Sequence, residues 1–145
     1  GLTPFERQVL ALTGSIERRQ VRPYAWLAAR ADKPGASRAV GNVMARNPIP
    51  LLIPCHRVVA ASGMIGNYSM GGPEVKRQLL RIEGVDLAEV ERLAKRGYRF
   101  VGDPGAKRFC YPTCTSRAAG SGWLFQSAEQ ALLAGYQPCS RCQPV

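Results

Sequence analysis

Tyr24-Ala25-Trp26-Leu27-Ala28-Ala29-Arg30-Ala31-Asp32-Lys33-Pro34-Gly35-Ala36-Ser37-Arg38-Ala39-Val40-Gly41-Asn42-Val43-Met44-Ala45-Arg46 decides the fold of the first part of the chain. Tyr24 to Ala31 and Ala36 to Arg46 read as two helices, joined by Asp32-Lys33-Pro34-Gly35, a short turn with glycine at its end. This is helix-turn-helix spacing. In the second helix Ala36, Val40, Val43 and Met44 form an inward stripe, which leaves Ser37, Arg38, Gly41, Asn42 and Ala45 pointing out. That outward face is small apart from Arg38, so the helix backbone can approach a groove closely while one long cation reaches beyond it. In a neutral protein, an Ala/Gly-rich helix packed against another helix would be the better reading. This chain is not neutral: its 145 residues hold 20 Lys and Arg against 10 Asp and Glu, a net charge of +10, so a polyanion is the first partner to consider.

Working outward, Thr3-Pro4-Phe5-Glu6 starts a helix, with Thr as cap, Pro at the first helical position and Glu reaching back; Phe5, Val9, Leu10 and Leu12 then face a core. Downstream, Leu87 to Arg96 reads as a connecting helix with Asp86 and Glu89 as its capping box and Gly97 as its end. The expected organisation is a core over 1–86, a linker helix over 87–97 and a small module over 98–145. Residues 1–86 hold 12 basic and 6 acidic side chains and residues 87–145 hold 8 and 4, so neither part is an acidic counterweight to the other. With 46% hydrophobic residues the chain has material for a core, and no apolar run approaches the roughly 18 residues a membrane helix needs. Charges interrupt the first residues, unlike a secretory signal, and the expected compartment is reducing and intracellular.

Cysteine usage separates two tasks. Cys55 stands alone and lies beside His56, the sole histidine, between the apolar runs Leu51-Leu52-Ile53 and Val58-Val59. Burial in apolar surroundings makes a thiol inert, so a nucleophilic Cys55 needs a base, and His56 can serve. Neighbours on a strand point to opposite faces, so the pair communicates only if Pro54 starts a turn or a water bridges them. Residue types alone leave a structural and a reactive Cys55 both open. By contrast, Cys110-x3-Cys114 and Cys139-x2-Cys142, with 24 residues between the pairs, supply four thiols in the arrangement that closes a tetrahedral zinc site. Two disulfides are the alternative, ranked below zinc for an intracellular chain.

Asn47-Pro48-Ile49-Pro50-Leu51-Leu52-Ile53-Pro54-Cys55-His56-Arg57-Val58-Val59, preceded by Ser37-Arg38-Ala39-Val40-Gly41-Asn42 and followed by Gly66-Asn67-Tyr68-Ser69, resembles the O6-alkylguanine-DNA alkyltransferases from about Phe5 to Gly84. The resemblance implies a mostly α, helix-turn-helix (winged-helix-like) core and a single-turnover methyltransferase of DNA repair. In it the Cys55 thiolate takes the alkyl group from O6 of a guanine flipped out of double-stranded DNA, without a cofactor. It further implies His56 as base through a water, Glu83 orienting that histidine, Tyr68 donating to the leaving base and Asn47 bracing the turn. By the same resemblance Arg38 is expected to be the arginine inserted into the stack and Tyr24 to press on a phosphate. Ser37, Ala39, Arg57 and Ser69 complete the expected DNA contacts. Arg19 stands where the family has glycine, Pro23 replaces Ser or Thr, and Met70 lengthens the loop by one residue. The family's N-terminal domain is not expected here.

Phe109-Cys110-Tyr111-Pro112-Thr113-Cys114-Thr115-Ser116-Arg117, with Ala134-Gly135-Tyr136-Gln137-Pro138-Cys139-Ser140-Arg141-Cys142-Gln143-Pro144, resembles the zinc domain of the Ada adaptive-response protein over Tyr98 to Val145. This implies a small α+β module with one structural Zn2+ on Cys110, Cys114, Cys139 and Cys142, Cys110 as a possible second methyl acceptor from methylphosphotriesters, and Arg117 as a phosphate contact. Tyr111 replaces an arginine common at that place. The module either aids DNA binding or repairs phosphotriesters. The expected protein is a monomer, cytoplasmic and nucleoid-associated in a prokaryote, with no membrane partner. The competing readings are a DNA-binding sensor that flips alkylguanine without accepting the group and a regulator switched by methylation.

Overall fold

Thr3 sets the first helix, α1 (Pro4–Gly14): its hydroxyl accepts from the Glu6 N–H at 3.1 Å while the Glu6 carboxylate accepts from the Thr3 N–H at 3.4 Å. The chain is described here by a computed structural model covering residues 1–117 and 122–144. Residues 118–121 and 145, inside the module expected over 98–145, lie outside the described residues. The described chain divides into two units, Gly1–Leu87 and Ala88–Val145.

In the first unit, α1 is followed by a two-residue strand, β1 (Arg22–Pro23), then by α2 (Tyr24–Arg30) and α3 (Ser37–Ala45). The turn between these helices carries its left-handed residues at Asp32 (φ 59°) and Gly35 (φ 89°). Ala36, expected inside the second helix, instead precedes it with no side-chain cap. Val9, Leu10, Leu27, Ala28, Val40, Val43 and Met44 bury one shared core among the three helices. Thr13 joins that core because its hydroxyl donates to the Val9 carbonyl at 2.8 Å and lies 3.8 Å from Met44 Sδ.

A single 3-10 turn over Cys55–Arg57 leads into β2 (Val58–Val59), which pairs in parallel with β1, Arg22 opposite Val58 and Pro23 opposite Val59. This pairing holds the Cys55 turn against the start of α2. The unit ends with α4 (Gly72–Ile82), entered through Gly71 at φ 123° and Gly72 at φ 85°, conformations that favour glycine.

The second unit begins with α5 (Leu87–Lys95) and builds a four-stranded sheet in the order β5-β3-β4-β6. Its strands are β3 (Phe100–Asp103), β4 (Arg108–Cys110), β5 (Trp123–Phe125) and β6 (Gln137–Pro138), with α6 (Ala128–Leu133) before the last. β3 runs antiparallel to β4 and β5, whereas β6 joins β4 in parallel. Ser127 caps α6, its hydroxyl accepting from the Gln130 N–H at 3.1 Å. Edge-to-face pairs fill the small core, Phe100 with Phe109 at 5.4 Å and Phe125 with Tyr136 at 5.0 Å between centroids. The described molecule is therefore an α-rich core unit with a small α/β module, and no helix among the described residues is long and apolar enough to cross a membrane.

Candidate active site and metal centre

Pro54 ends the extended run, and the 3-10 turn after it aims Cys55 and His56 without the opposed geometry of a strand. Asn47 ties this loop at both ends: its amide donates to the Ile53 carbonyl at 2.8 Å, and its own oxygen accepts from the Ile49 N–H at 3.1 Å. Cys55 is only 4% exposed. Even so, it lines a cavity of about 190 Å³, walled also by Tyr24 from α2, by Gly41, Met44 and Ala45 from α3, and by Asn67, Tyr68 and Ser69. Gly41 and Ala45 keep that wall low.

His56 is buried, with Nε2 3.1 Å from Glu83 Oε1. The contact is close but off the ring N–H direction, and Nδ1 has no hydrogen-bond partner among the described residues. Burial pushes the imidazole below its ordinary value of 6.5; Glu83 opposes that shift, while Arg57 and Lys76 add to it. Glu83 is itself partly buried, which opposes ionisation, but the hydrogen bonds from Arg57 and the closeness of His56 outweigh this and hold it below the usual carboxylate range. Tyr24 and Tyr68 both have their phenol pKa raised, by burial first and then by Cys55, so they stay protonated donors at neutral pH.

Two side chains stand differently from expectation. Arg57, expected at DNA, is committed inside the protein: Nε and Nη2 donate to the two oxygens of Glu83 and Nη1 to the Ile16 carbonyl. Lys76 was not singled out from the sequence at all, yet it is 1% exposed, and its Nζ donates to the Asn67 carbonyl at 3.2 Å. Burial drives its pKa down to about 8, with Cys55 opposing. The available signal was its place between Val75 and Leu80 on the inward stripe of α4. Of the expected DNA contacts, Arg38, Ala39 and Ser69 are exposed, while Ser37 and Tyr24 are half-buried.

In the second unit Cys110 ends β4, Cys114 lies in the following turn, and Cys139 and Cys142 follow β6. All four thiols are free and buried, and their sulfurs lie within 4.8 Å of one another, Cys114 and Cys139 being 4.0 Å apart. Four thiolates about 2.3 Å from one tetrahedral zinc would stand about 3.8 Å apart, so the set fits such an ion. The four cysteines form a metal-binding site. A cavity of about 380 Å³ borders Cys110 and Cys139, with Arg108 and Ser116 in its wall. Arg117, expected at a phosphate, instead has Nη1 donating to Glu89 and, at 2.8 Å, to the Pro112 carbonyl.

Residues 4–85, more than half of the chain, match the family model for the 6-O-methylguanine DNA methyltransferase DNA binding domain. The chain belongs to this methyltransferase family. Residues 94–145 also match the model for the metal binding domain of Ada. The human methylated-DNA–protein-cysteine methyltransferase is 51% identical over 94 residues, 64% of this chain and 42% of that protein. The Salmonella typhimurium methyltransferase of the same name is 45% identical over 84 residues, 58% of this chain and 48% of that protein. The chain thus spans less than half the length of these relatives. Among solved structures, Mycobacterium tuberculosis OGT in complex with DNA superposes with a TM-score of 0.55 at 40% identity, covering 57% of this chain and 50% of that one.

Proposed function

We propose that this protein repairs double-stranded DNA by moving the alkyl group of O6-alkylguanine irreversibly onto Cys55. The observation that supports this best is a buried Cys55 lining a cavity together with two protonated tyrosines, next in sequence to a neutral imidazole that has a carboxylate 3.1 Å from its Nε2. In the reaction a sulfur–carbon bond forms as the carbon–O6 bond breaks. The thiol proton passes through a water to Nδ1 of His56, and Tyr68 donates a proton to the leaving guanine as negative charge develops there.

The α2–turn–α3 pair acts as the helix-turn-helix, with Ser37, Arg38 and Ala39 at the groove and Arg38 filling the gap left by the flipped base. Tyr24 and Ser69, which line the cavity, hold the neighbouring phosphate and the extruded base. One zinc ion in the second unit, when bound, keeps four thiols deprotonated and ties two strand ends together. The cavity beside Cys110 favours a second reading for that unit, methyl uptake from phosphotriesters, over bracing alone.

Incubation with DNA containing O6-methylguanine is expected to add one methyl to the intact mass, mapped to the Cys55 peptide. Folded, DNA-binding protein that gains no methyl would be a sensor and not a repair protein. Separate Cys55 and Cys110 replacements, with metal content checked, divide the two acceptors.

A further inference from the structure

Arg57 donates three hydrogen bonds inside the first unit, and alkyl transfer as just described leaves it without a part. It follows His56 directly, and the 3-10 turn sends both side chains to one carboxylate. Nε donates to Glu83 Oε1 at 3.0 Å and Nη2 to Oε2 at 2.5 Å, the two-pronged geometry that fixes a carboxylate in plane as well as in distance. Nη1 donates to the Ile16 carbonyl at 2.6 Å, which anchors the guanidinium to the turn after α1. The same turn holds the end of α4 a second time, Arg18 donating to the Ile82 carbonyl at 3.3 Å.

Glu83 caps α4, and an unrestrained glutamate there has three rotatable bonds. The Arg57 fork removes that freedom and leaves Oε1 3.1 Å from His56 Nε2. A carboxylate at that place favours the proton on Nε2, which makes Nδ1 the nitrogen with the free lone pair. We propose that Arg57 is a positioning residue whose fork on Glu83 holds the carboxylate at His56 Nε2 and so decides that Nδ1 is the base. The inference rests on reading His56 as the base for Cys55.

His56 is the sole histidine in the sequence, so its ring nitrogen signals report the tautomer without ambiguity. In the full chain, the wild type is expected to show the Nε2–H tautomer and Arg57→Gln a mixture of both. Alkyl transfer in Arg57→Gln should slow by about 10- to 100-fold, part of the ~10²–10⁴ that a positioned base contributes. In a Glu83→Gln background, Arg57→Gln is expected to change the rate no further, because the group it positions is gone. An unaltered tautomer in folded Arg57→Gln, or rate losses that multiply in the double variant, overturns the proposal. Weakened DNA binding with an unaltered tautomer also overturns it and returns Arg57 to the DNA contacts. If Arg57→Gln does not fold, Arg57→Lys carries the test: it keeps a cation and loses the fork, so a wild-type tautomer there is the overturning result. The tautomer needs no reaction, so a wild type that leaves O6-methylguanine intact sinks the repair reading while Arg57 is still judged.

Discussion

A buried imidazole beside a thiol works as a base only while it is neutral, and burial keeps His56 in that form by moving its pKa below 6.5. The sign carries over to folding. Between the folded value and 6.5 the unfolded chain binds a proton that the folded chain refuses, so stability is complete above 6.5 and declines as pH falls through that window. Glu83 runs to lower pH: its folded pKa lies below 4.5, so the stability it adds is present above 4.5 and is lost as pH drops through the folded value. Alkyl transfer should follow His56, staying flat through neutral pH, with its acid limb centred below 6.5. Single-turnover rates between mildly acid and mildly basic pH check this, and a limb at or above the ordinary histidine value contradicts the buried neutral base. The Cys55–His56 adjacency was legible because both residues are unique neighbours in the string. Glu83 came only through family resemblance, being 26 positions from Arg57, and Lys76 was missed because a charged residue on an apolar stripe reads as solvated until the helix is seen to bury it.

Helices were the legible elements, since caps and turn glycines are local chemistry: Thr3 with Glu6 and Gly35 between α2 and α3 both sit as read. Of the short strands, Trp123–Phe125 could be read from its own residues, but β4 and β6 could not. β4 and β6 owe their existence to partners far along the chain, Phe109 facing Gly102 on one side and Pro138 on the other, and no alternation over two or three residues can announce that. Within this sheet Gly102 leaves no room for a side chain, because a Cβ there would lie 2.6 Å from the Phe125 ring and 2.8 Å from the Tyr136 ring. Gly102→Ala is therefore expected to destabilise the second unit by about 1–3 kcal/mol, the usual range for forcing a methyl into a filled core. A thermal melt of the full chain followed at that unit measures it, and an unchanged midpoint would mean that the two rings do not close over the strand as described.

The two units differ in what holds them. The first buries an apolar core shared by α1, α2 and α3, reaching Cys55, Val58 and Tyr68, which is enough for a stable fold without a metal. The second has a few aromatic rings around short strands, and its four cysteines join the end of β4 to the segment after β6. A unit of this size relies on ligation, and structural zinc contributes on the order of 10–16 kcal/mol of apparent binding free energy at neutral pH. Metal removal should therefore act unevenly. Each unit holds one of the two tryptophans, Trp26 and Trp123, so Trp26→Phe and Trp123→Phe chains each report on one unit by fluorescence. On chelation the Trp123 signal is expected to move to that of unfolded chain, while the Trp26 signal stays native and Cys55 still takes up methyl from O6-methylguanine DNA. Affinity for DNA should fall at the same time if the second unit contributes its basic side chains to the complex, and the drop should shrink as salt rises. Native Trp123 emission after complete metal loss would show that the aromatic packing suffices alone; loss of Cys55 methylation with native Trp26 emission would show that the first unit does not work unaided.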